Sequence, residues 1–145
     1  MAHLRKQIRD RIVTDVTGLS TTGSRVHKSR VYPVDTLPCL CVYTKNESIE
    51  TETLTVPRTQ IRTLSINIDG YATANSNLDD SLDQISLEVE EAIAGDVRIN
   101  NLAKEAQVSA VEVDYSEEGE KPIGMIRITI EVEYVAIEND LENAL

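Results

Sequence analysis

The side chains that could do chemistry are few, and they centre on two cysteines and a histidine. Cys39 and Cys41 stand two residues apart on an extended segment, so their side chains point the same way and a disulfide between them would be strained. His27 could add a third zinc ligand, but the Cys-x-Cys spacing is too tight for a structural zinc site and a fourth ligand is missing. We interpret the cysteines as reduced, partly buried residues of an intracellular protein, and His27 as a surface or edge-strand residue.

Carboxylates are abundant, but their spacing is typical of a solvated helix face. A paired general acid and base needs a pocket that shifts the pKa of one carboxyl group, and the sequence shows no such pocket. The motifs of serine hydrolases, phosphate-binding loops, dinucleotide-binding folds and zinc peptidases are also missing. The sequence therefore predicts no catalytic residue, no cofactor and no metal. The helix carboxylates are Asp79, Asp80, Asp83, Glu88, Glu90 and Glu91.

Composition and charge exclude further classes. With 145 residues, 41% hydrophobic and 27% charged, the chain is expected to form one folded domain over 1–145. Five tyrosines are the only aromatic residues, so a base-stacking platform for single-stranded nucleic acid is not expected. The net charge of -11 argues against a surface that binds duplex DNA or an anionic membrane. Neither a membrane span nor a secretory signal peptide is expected.

The charge is unevenly distributed along the chain. Residues 1–34 carry seven basic and two acidic side chains, a charge of +5, and the remainder carries -16. This polarity favours a partner, or copies of the chain that meet head to tail. A basic helix face in solvent beside an acidic sheet is an equally open interpretation.

Hydrophobic periodicity predicts an α+β fold. Each long strand has one apolar face, and two amphipathic helices are available to cover it. We therefore expect a mainly antiparallel sheet of four to five strands with two amphipathic helices packed on one face. The predicted helices cover about 3–18 and 78 to the stop at Gly95, and the predicted strands cover about 25–33, 39–44, 62–69, 106–116 and 123–136.

Two segments fit neither the helical nor the strand period. Residues 45–60 are rich in Thr and Glu and contain Pro57, so they are predicted to form a long, mobile loop with a functional role. The acidic tail after 137 is predicted to fray.

The order of the segments follows a known pattern over nearly the whole chain. Its pieces are 1–9, the turn at 18–26, the strand at 29–33, the strand at 37–44, the Thr/Glu-rich segment ending in Pro57-Arg58, the helix start at 78–83 and the strand at 124–134. Together these resemble the tail terminator proteins of long-tailed bacteriophages, a group similar to the minor tail protein U of lambdoid phages. The resemblance rests on residue pattern and order rather than on a catalytic motif.

The resemblance implies a structural virion protein and not an enzyme. Family members form a ring, typically a hexamer, that caps the completed tail tube, stops its polymerisation and offers the surface that the head joins. The implied partners are further copies of the chain, the tail tube protein and the head–tail connector, while duplex DNA passes through without being bound. The implied location is the host cytoplasm during assembly and then the virion tail. The alternative is a small cytoplasmic enzyme or ligand-binding α+β domain whose site the sequence does not reveal.

Two sets of site residues are expected within that role. Charge complementarity assigns the helix cations and the loop charges to a subunit or tube interface, namely Arg5, Lys6, Arg9, Arg11, Glu50, Glu52 and Arg58. Either the acidic C-terminal tail or acidic side chains on the polar strand faces are expected near the ring opening, where like charge keeps a moving duplex from sticking. The side chains on the strand faces are Glu112, Asp114, Glu131 and Glu133.

Overall fold

The computed structural model describes residues 2–28, 37–73, 77–116 and 123–145. Its elements in chain order are α1 (Leu4–Asp15), β1 (Val26–His27), β2 (Cys39–Thr51), β3 (Thr59–Thr73), α2 (Leu78–Ala94), β4 (Glu105–Ser116) and β5 (Ile123–Ile137). The strands form one sheet in the order β1-β2-β3-β5-β4, in which only the β1–β2 pair is parallel. The predicted α+β class is confirmed, with a mixed but mainly antiparallel sheet of five strands.

Alternation along β3 and β5 gives the sheet two chemically different faces. Leu64, Ile66 and Ile68 on β3 pair with Val132, Ile130 and Ile128 on β5, and all six are fully buried. We call this side the apolar face. The opposite side, with Ser65, Asn67 and Asp69 on β3, is the polar face. This alternation is what the sequence predicted for both strands.

Each helix buries one stripe of apolar side chains at helical spacing. Leu4, Ile8 and Ile12 of α1 are fully buried, and Leu82, Ile85, Val89 and Ile93 of α2 are nearly so. These residues and the apolar face belong to one buried cluster. That cluster contains both helices, while their packing on one face of the sheet stays a prediction.

Two glycines let α2 approach the sheet closely. A β-carbon added at Gly70 in β3 would lie 2.8 Å from Cγ2 of Ile85, and one at Gly124 in β5 would lie 2.8 Å from Cδ2 of Leu78. Real β-carbons do not come this near to another carbon, so a larger residue at either position would push the helix outward.

The long loop predicted at 45–60 is wrong in extent. β2 continues to Thr51 and β3 begins at Thr59, so the connection covers only 52–58. The register shifts between Thr44 and Asn46, which is a β-bulge at Lys45. A bulge puts the alternation before and after it out of phase, so no single period-two pattern covers the strand. The mobility of the shorter connection stays a prediction.

The predicted fraying of the tail after 137 is also wrong. The backbone N–H of Leu4 donates to the carbonyl oxygen of Leu141 at 2.7 Å, and Leu145 N–H donates to Val135 O at 3.0 Å. Nε2 of Gln7 donates to the carbonyl of Glu142 at 2.8 Å. The tail thus supplies an acceptor for an N–H at the start of α1 that has no partner inside the helix.

The remaining predicted boundaries shift modestly. α1 ends at Asp15 rather than near 18. Of the strand predicted at 25–33, Val26–His27 is observed as β1 at the sheet edge, which places His27 on an edge strand. Residues 29–33 lie outside the described residues. Of the two helices described, neither combines the length and the apolar character that crossing a bilayer requires.

Candidate assembly surfaces

The polar face is held by a continuous hydrogen-bond network across β2, β3 and β5. Asp69 is 2% exposed and accepts two hydrogen bonds from Arg127, at 2.9 Å from Nε and 3.2 Å from Nη2. Tyr43 donates its hydroxyl to the same carboxylate at 2.7 Å. The paired carboxylate raises the pKa of Arg127, so the guanidinium stays charged. Asn67 extends the network by accepting a hydrogen bond from Thr129 at 2.9 Å.

The structure brings the four predicted lumen residues onto this same face. In the β4–β5 register Glu112 lies opposite Arg127 and Asp114 opposite Met125. Glu131 and Glu133 follow on β5, and Glu105 on β4 lies directly opposite Glu133. On β3, β4 and β5 the polar face carries six carboxylates and one guanidinium, a charge of -5: Asp69, Glu105, Glu112, Asp114, Arg127, Glu131 and Glu133.

Three of the acidic residues lie around one depression. Glu105, Glu131 and Glu133 border a shallow depression of about 160 Å³. Within the described residues, no group of three or more His, Cys, Asp or Glu side chains is arranged to hold a metal ion. Cys39 and Cys41 are free thiols, and both are fully buried. The arrangement offers a surface of negative potential.

The predicted helix cations have partners inside the chain. Nη1 of Arg5 lies 3.1 Å from Glu47, and Nε of Arg11 lies 3.1 Å from Asp96 and 3.2 Å from Asp15. The remaining contacts are Lys6 Nζ with Asp10 at 2.6 Å and Arg9 Nη1 with Thr44 at 2.9 Å. Much of the positive charge of α1 is thus compensated within the chain itself.

Glu47 is the centre of the buried polar contacts under α1. Its side chain is 5% exposed and accepts hydrogen bonds from Arg62 at 2.7 Å, Arg5 at 3.1 Å and Tyr134 at 2.8 Å. Burial and this carboxylate raise the pKa of Tyr134, so its hydroxyl stays protonated and donating. The bulge in β2 turns Glu47 onto the apolar face, opposite Leu64. Sequence reasoning missed this residue because it placed 45–60 in a loop.

The β2–β3 hairpin presents apolar side chains at its tip. Leu54 is 94% exposed and Val56 67% exposed in the connection, and Ile49 on the β2 stem is 52% exposed. Glu50 and Glu52 flank this tip and are exposed. Arg58 lies 3.4 Å from Glu138 and is tied to the tail. Exposed apolar residues so close together mark an interaction surface more often than a solvated loop.

The opposite edge of the sheet carries a second apolar surface. Val111 and Val113 of β4 lie opposite Ile128 and Ile126 on the apolar face, yet they are 44% and 56% exposed. The sequence predicted this strand face as apolar and did not anticipate that it would be half uncovered. The hairpin and β4 together hold six of the nine large hydrophobic residues that are exposed in the described part of the chain.

A third feature is a depression of about 390 Å³ at the turn between α2 and β4. Arg98, Leu102, Lys104, Val135 and Leu145 line it together with three neighbours. The turn is left-handed, with φ of 47° at Ile99, 53° at Asn100 and 65° at Asn101. These are the only non-glycine residues with positive φ in the described ranges. A branched residue such as Ile99 adopts this conformation only when its surroundings enforce it.

Comparison with known proteins gives structural neighbours but no family assignment. No protein-family model matches the chain, and no curated protein does. A chain of the virion of a native gene transfer agent particle is similar over 90% of this chain and 95% of its own length. The sequence identity is 10% and the TM-score is 0.39.

Proposed function

We propose that the chain is a structural virion protein that forms a closed ring, a hexamer, at the end of a phage tail tube. The observation that carries the ring is the placement of exposed apolar side chains on opposite edges of one sheet, the β2–β3 hairpin on one side and β4 on the other. A ring requires such a heterologous contact, in which one surface binds a different surface of the next copy. The role at the tail tube comes from the resemblance of the segment order to tail terminator proteins.

In the proposed ring the polar face lines the opening and both helices cover the apolar face. The surface that DNA meets then carries Glu112, Asp114, Glu131 and Glu133. Binding to the DNA backbone requires cations that replace the counterions of the phosphates, and the polar face has one guanidinium, already held by Asp69. The face supports passage of a duplex without binding.

Six of the seven interface residues predicted from sequence divide into three groups. Glu50 and Glu52 on the hairpin are proposed as subunit contacts, because they are exposed beside the apolar tip. Arg5 and Arg11 instead attach α1 to the rest of the chain through Glu47 and Asp96. Lys6, whose side chain is 56% exposed, is proposed to face the tube or the head connector together with Arg9.

Electron microscopy of the purified chain, with and without tail tubes of the phage that encodes it, tests this function. We expect rings of uniform mass, or rings that appear at tube ends, and we expect tubes to stop growing once the chain is added. A chain that stays monomeric with tubes present and leaves them growing refutes the proposal. A small molecule bound tightly in solution would support the alternative of a ligand-binding domain.

A further inference from the structure

We infer that the tip of the β2–β3 hairpin of one copy occupies the depression beside Arg98 and Lys104 of the next copy. This contact rests on the proposed ring and identifies which two surfaces close it. Its occupant is residues 50–58 of a second copy of this chain.

Sheet topology places the hairpin and the depression at the same end of the strands. β3 begins at Thr59, which pairs with Ile137 near the end of β5, and Glu133 of β5 pairs with Glu105 at the start of β4. Lys104 directly precedes β4, and its N–H donates to Glu133 O at 2.8 Å. In the proposed ring the copies are related by rotation about an axis parallel to the strands. Such a rotation leaves this end of every copy at the same height along the axis and places the β2 side of one copy beside the β4 side of the next. The hairpin on the β2 side then meets the depression on the β4 side.

The charges of the two surfaces are complementary. Glu50 and Glu52 are exposed on the hairpin, and Arg98 and Lys104 are exposed at the depression. None of the four takes part in an ion pair with another described residue. This distinguishes Arg98 and Lys104 from the helix cations Arg5, Lys6 and Arg11, which are paired within the chain.

Apolar contacts match as well. Leu54 and Val56 on the tip have little covering them in one copy, while Leu102, Val135 and Leu145 provide apolar lining in the depression. Most of the affinity should come from burial of these side chains, and the charges set orientation.

The receptor side is held rigid before any partner arrives. Asn100 N–H donates to Oδ1 of Asp96 at 3.0 Å, and Ala103 N–H donates to Arg98 O at 3.0 Å across the left-handed turn. Ile99 is fully buried and anchors the turn from below. A strained backbone fixed in this way is a feature of binding surfaces, because a preorganised partner loses less entropy on association.

Cysteine cross-linking tests the contact directly. A chain with Val56→Cys and Ala103→Cys should, on mild oxidation, give a ladder of covalent oligomers that ends at the ring size. The matched control, Val56→Cys with Leu87→Cys, should not, because Leu87 is exposed on α2 and does not line the depression. The native Cys39 and Cys41 are fully buried, so wild type gives the background.

Charge exchange provides the second test. Glu50→Lys with Glu52→Lys, and separately Arg98→Glu with Lys104→Glu, should each raise the concentration for half-assembly at least tenfold. The combined fourfold variant should recover most of that loss. Asp83→Lys with Glu91→Lys on α2 changes the net charge as much as the hairpin variant and should leave assembly within twofold. Circular dichroism checks that each variant is folded.

The outcomes separate this inference from the proposed function. Wild-type rings with no ladder and no recovery in the fourfold variant overturn the hairpin contact and leave the ring standing. A wild type that forms no ring with or without tubes overturns the proposed function and the contact with it.

Discussion

Replacing Glu47 with alanine should destabilise the fold strongly, although the residue lies in a segment whose composition is typical of a loop. The substitution removes the acceptor for Arg5, Arg62 and Tyr134. Arg62, whose side chain is 8% exposed, would keep its contact with Gln60 and lose its carboxylate. Removal of one partner from a buried ion pair costs about 3–5 kcal/mol, because the other charge stays buried without compensation.

Urea unfolding at pH 7, followed by circular dichroism, measures this loss. A domain of this size has a total stability of about 5–15 kcal/mol, so the variant should remain folded in water and unfold at a clearly lower urea concentration. Glu47→Gln keeps one acceptor oxygen and should lose less, about 1–2 kcal/mol. Glu91→Ala, exposed on α2 and outside the proposed subunit contact, is the matched control and should stay within about 0.5 kcal/mol of wild type.

The result that would refute this reasoning is a loss below about 1 kcal/mol for Glu47→Ala, similar to that of Glu91→Ala. Such a result would mean that residues 45–51 do not hold the strand that the structure shows. It would restore the long mobile loop that the sequence predicted. The hairpin that carries the proposed subunit contact would then have no rigid stem.

Four further predictions concern single features. Burial, and then a hydrogen bond with Asp96, raise the pKa of Asp15 from 3.8 to about 7, against the opposing effect of Arg11. Between these two values the folded chain holds a proton that the unfolded chain releases, so the free energy of unfolding should fall as pH rises from about 4 to 7. Melting curves should therefore show Asp15→Asn more stable than wild type at pH 8 but not at pH 4. Leu54→Ser with Val56→Ser should weaken each subunit contact by about 2–4 kcal/mol in light scattering without lowering the melting temperature. Fluorescence anisotropy should detect no duplex binding at about 0.15 M salt, and salt-sensitive micromolar binding would contradict the proposed lumen surface. Replacing Cys39 and Cys41 by alanine should lower the free energy of unfolding by about 1–3 kcal/mol and leave assembly unchanged, whereas stoichiometric zinc lost in the double variant would show that their role is metal binding.

The parts of the fold that the sequence predicts are those in which one face of an element is buried along its whole length. A branched apolar residue recurs at every second position from Leu64 to Ile68 in β3 and from Ile126 to Val132 in β5. In α2 the stripe from Leu82 to Ile93 is uninterrupted. Burial of one face requires apolar residues at the spacing of the strand or helix, so this spacing is visible in the sequence. Strand and helix could therefore be told apart without a structure.

The parts that the sequence did not predict depend on contacts between distant residues. The outer half of β2 is a strand because it pairs with β3, and the bulge at Lys45 removes the regular alternation that would have revealed it. Glu47 looks like any loop carboxylate until Arg62 and Tyr134, 15 and 87 residues away, are placed beside it. The tail is ordered by acceptors that it gives to α1, and no local pattern records such a contact.

The charge asymmetry of the sequence has a different meaning once the pairs are known. Arg5 and Arg11 lie in the basic first part of the chain, but their partners Glu47 and Asp96 lie in the acidic remainder. Ion pairs within one copy therefore neutralise part of the charge difference between the two parts of the chain. A reversal of Arg5 would place a carboxylate against Glu47 and would report on folding rather than on assembly. What can guide a second copy is the charge left unpaired at the surface. The exposed glutamates of the hairpin and the exposed cations beside β4 have no ion-pair partner among the described residues, and the proposed ring brings these two sides of the sheet together.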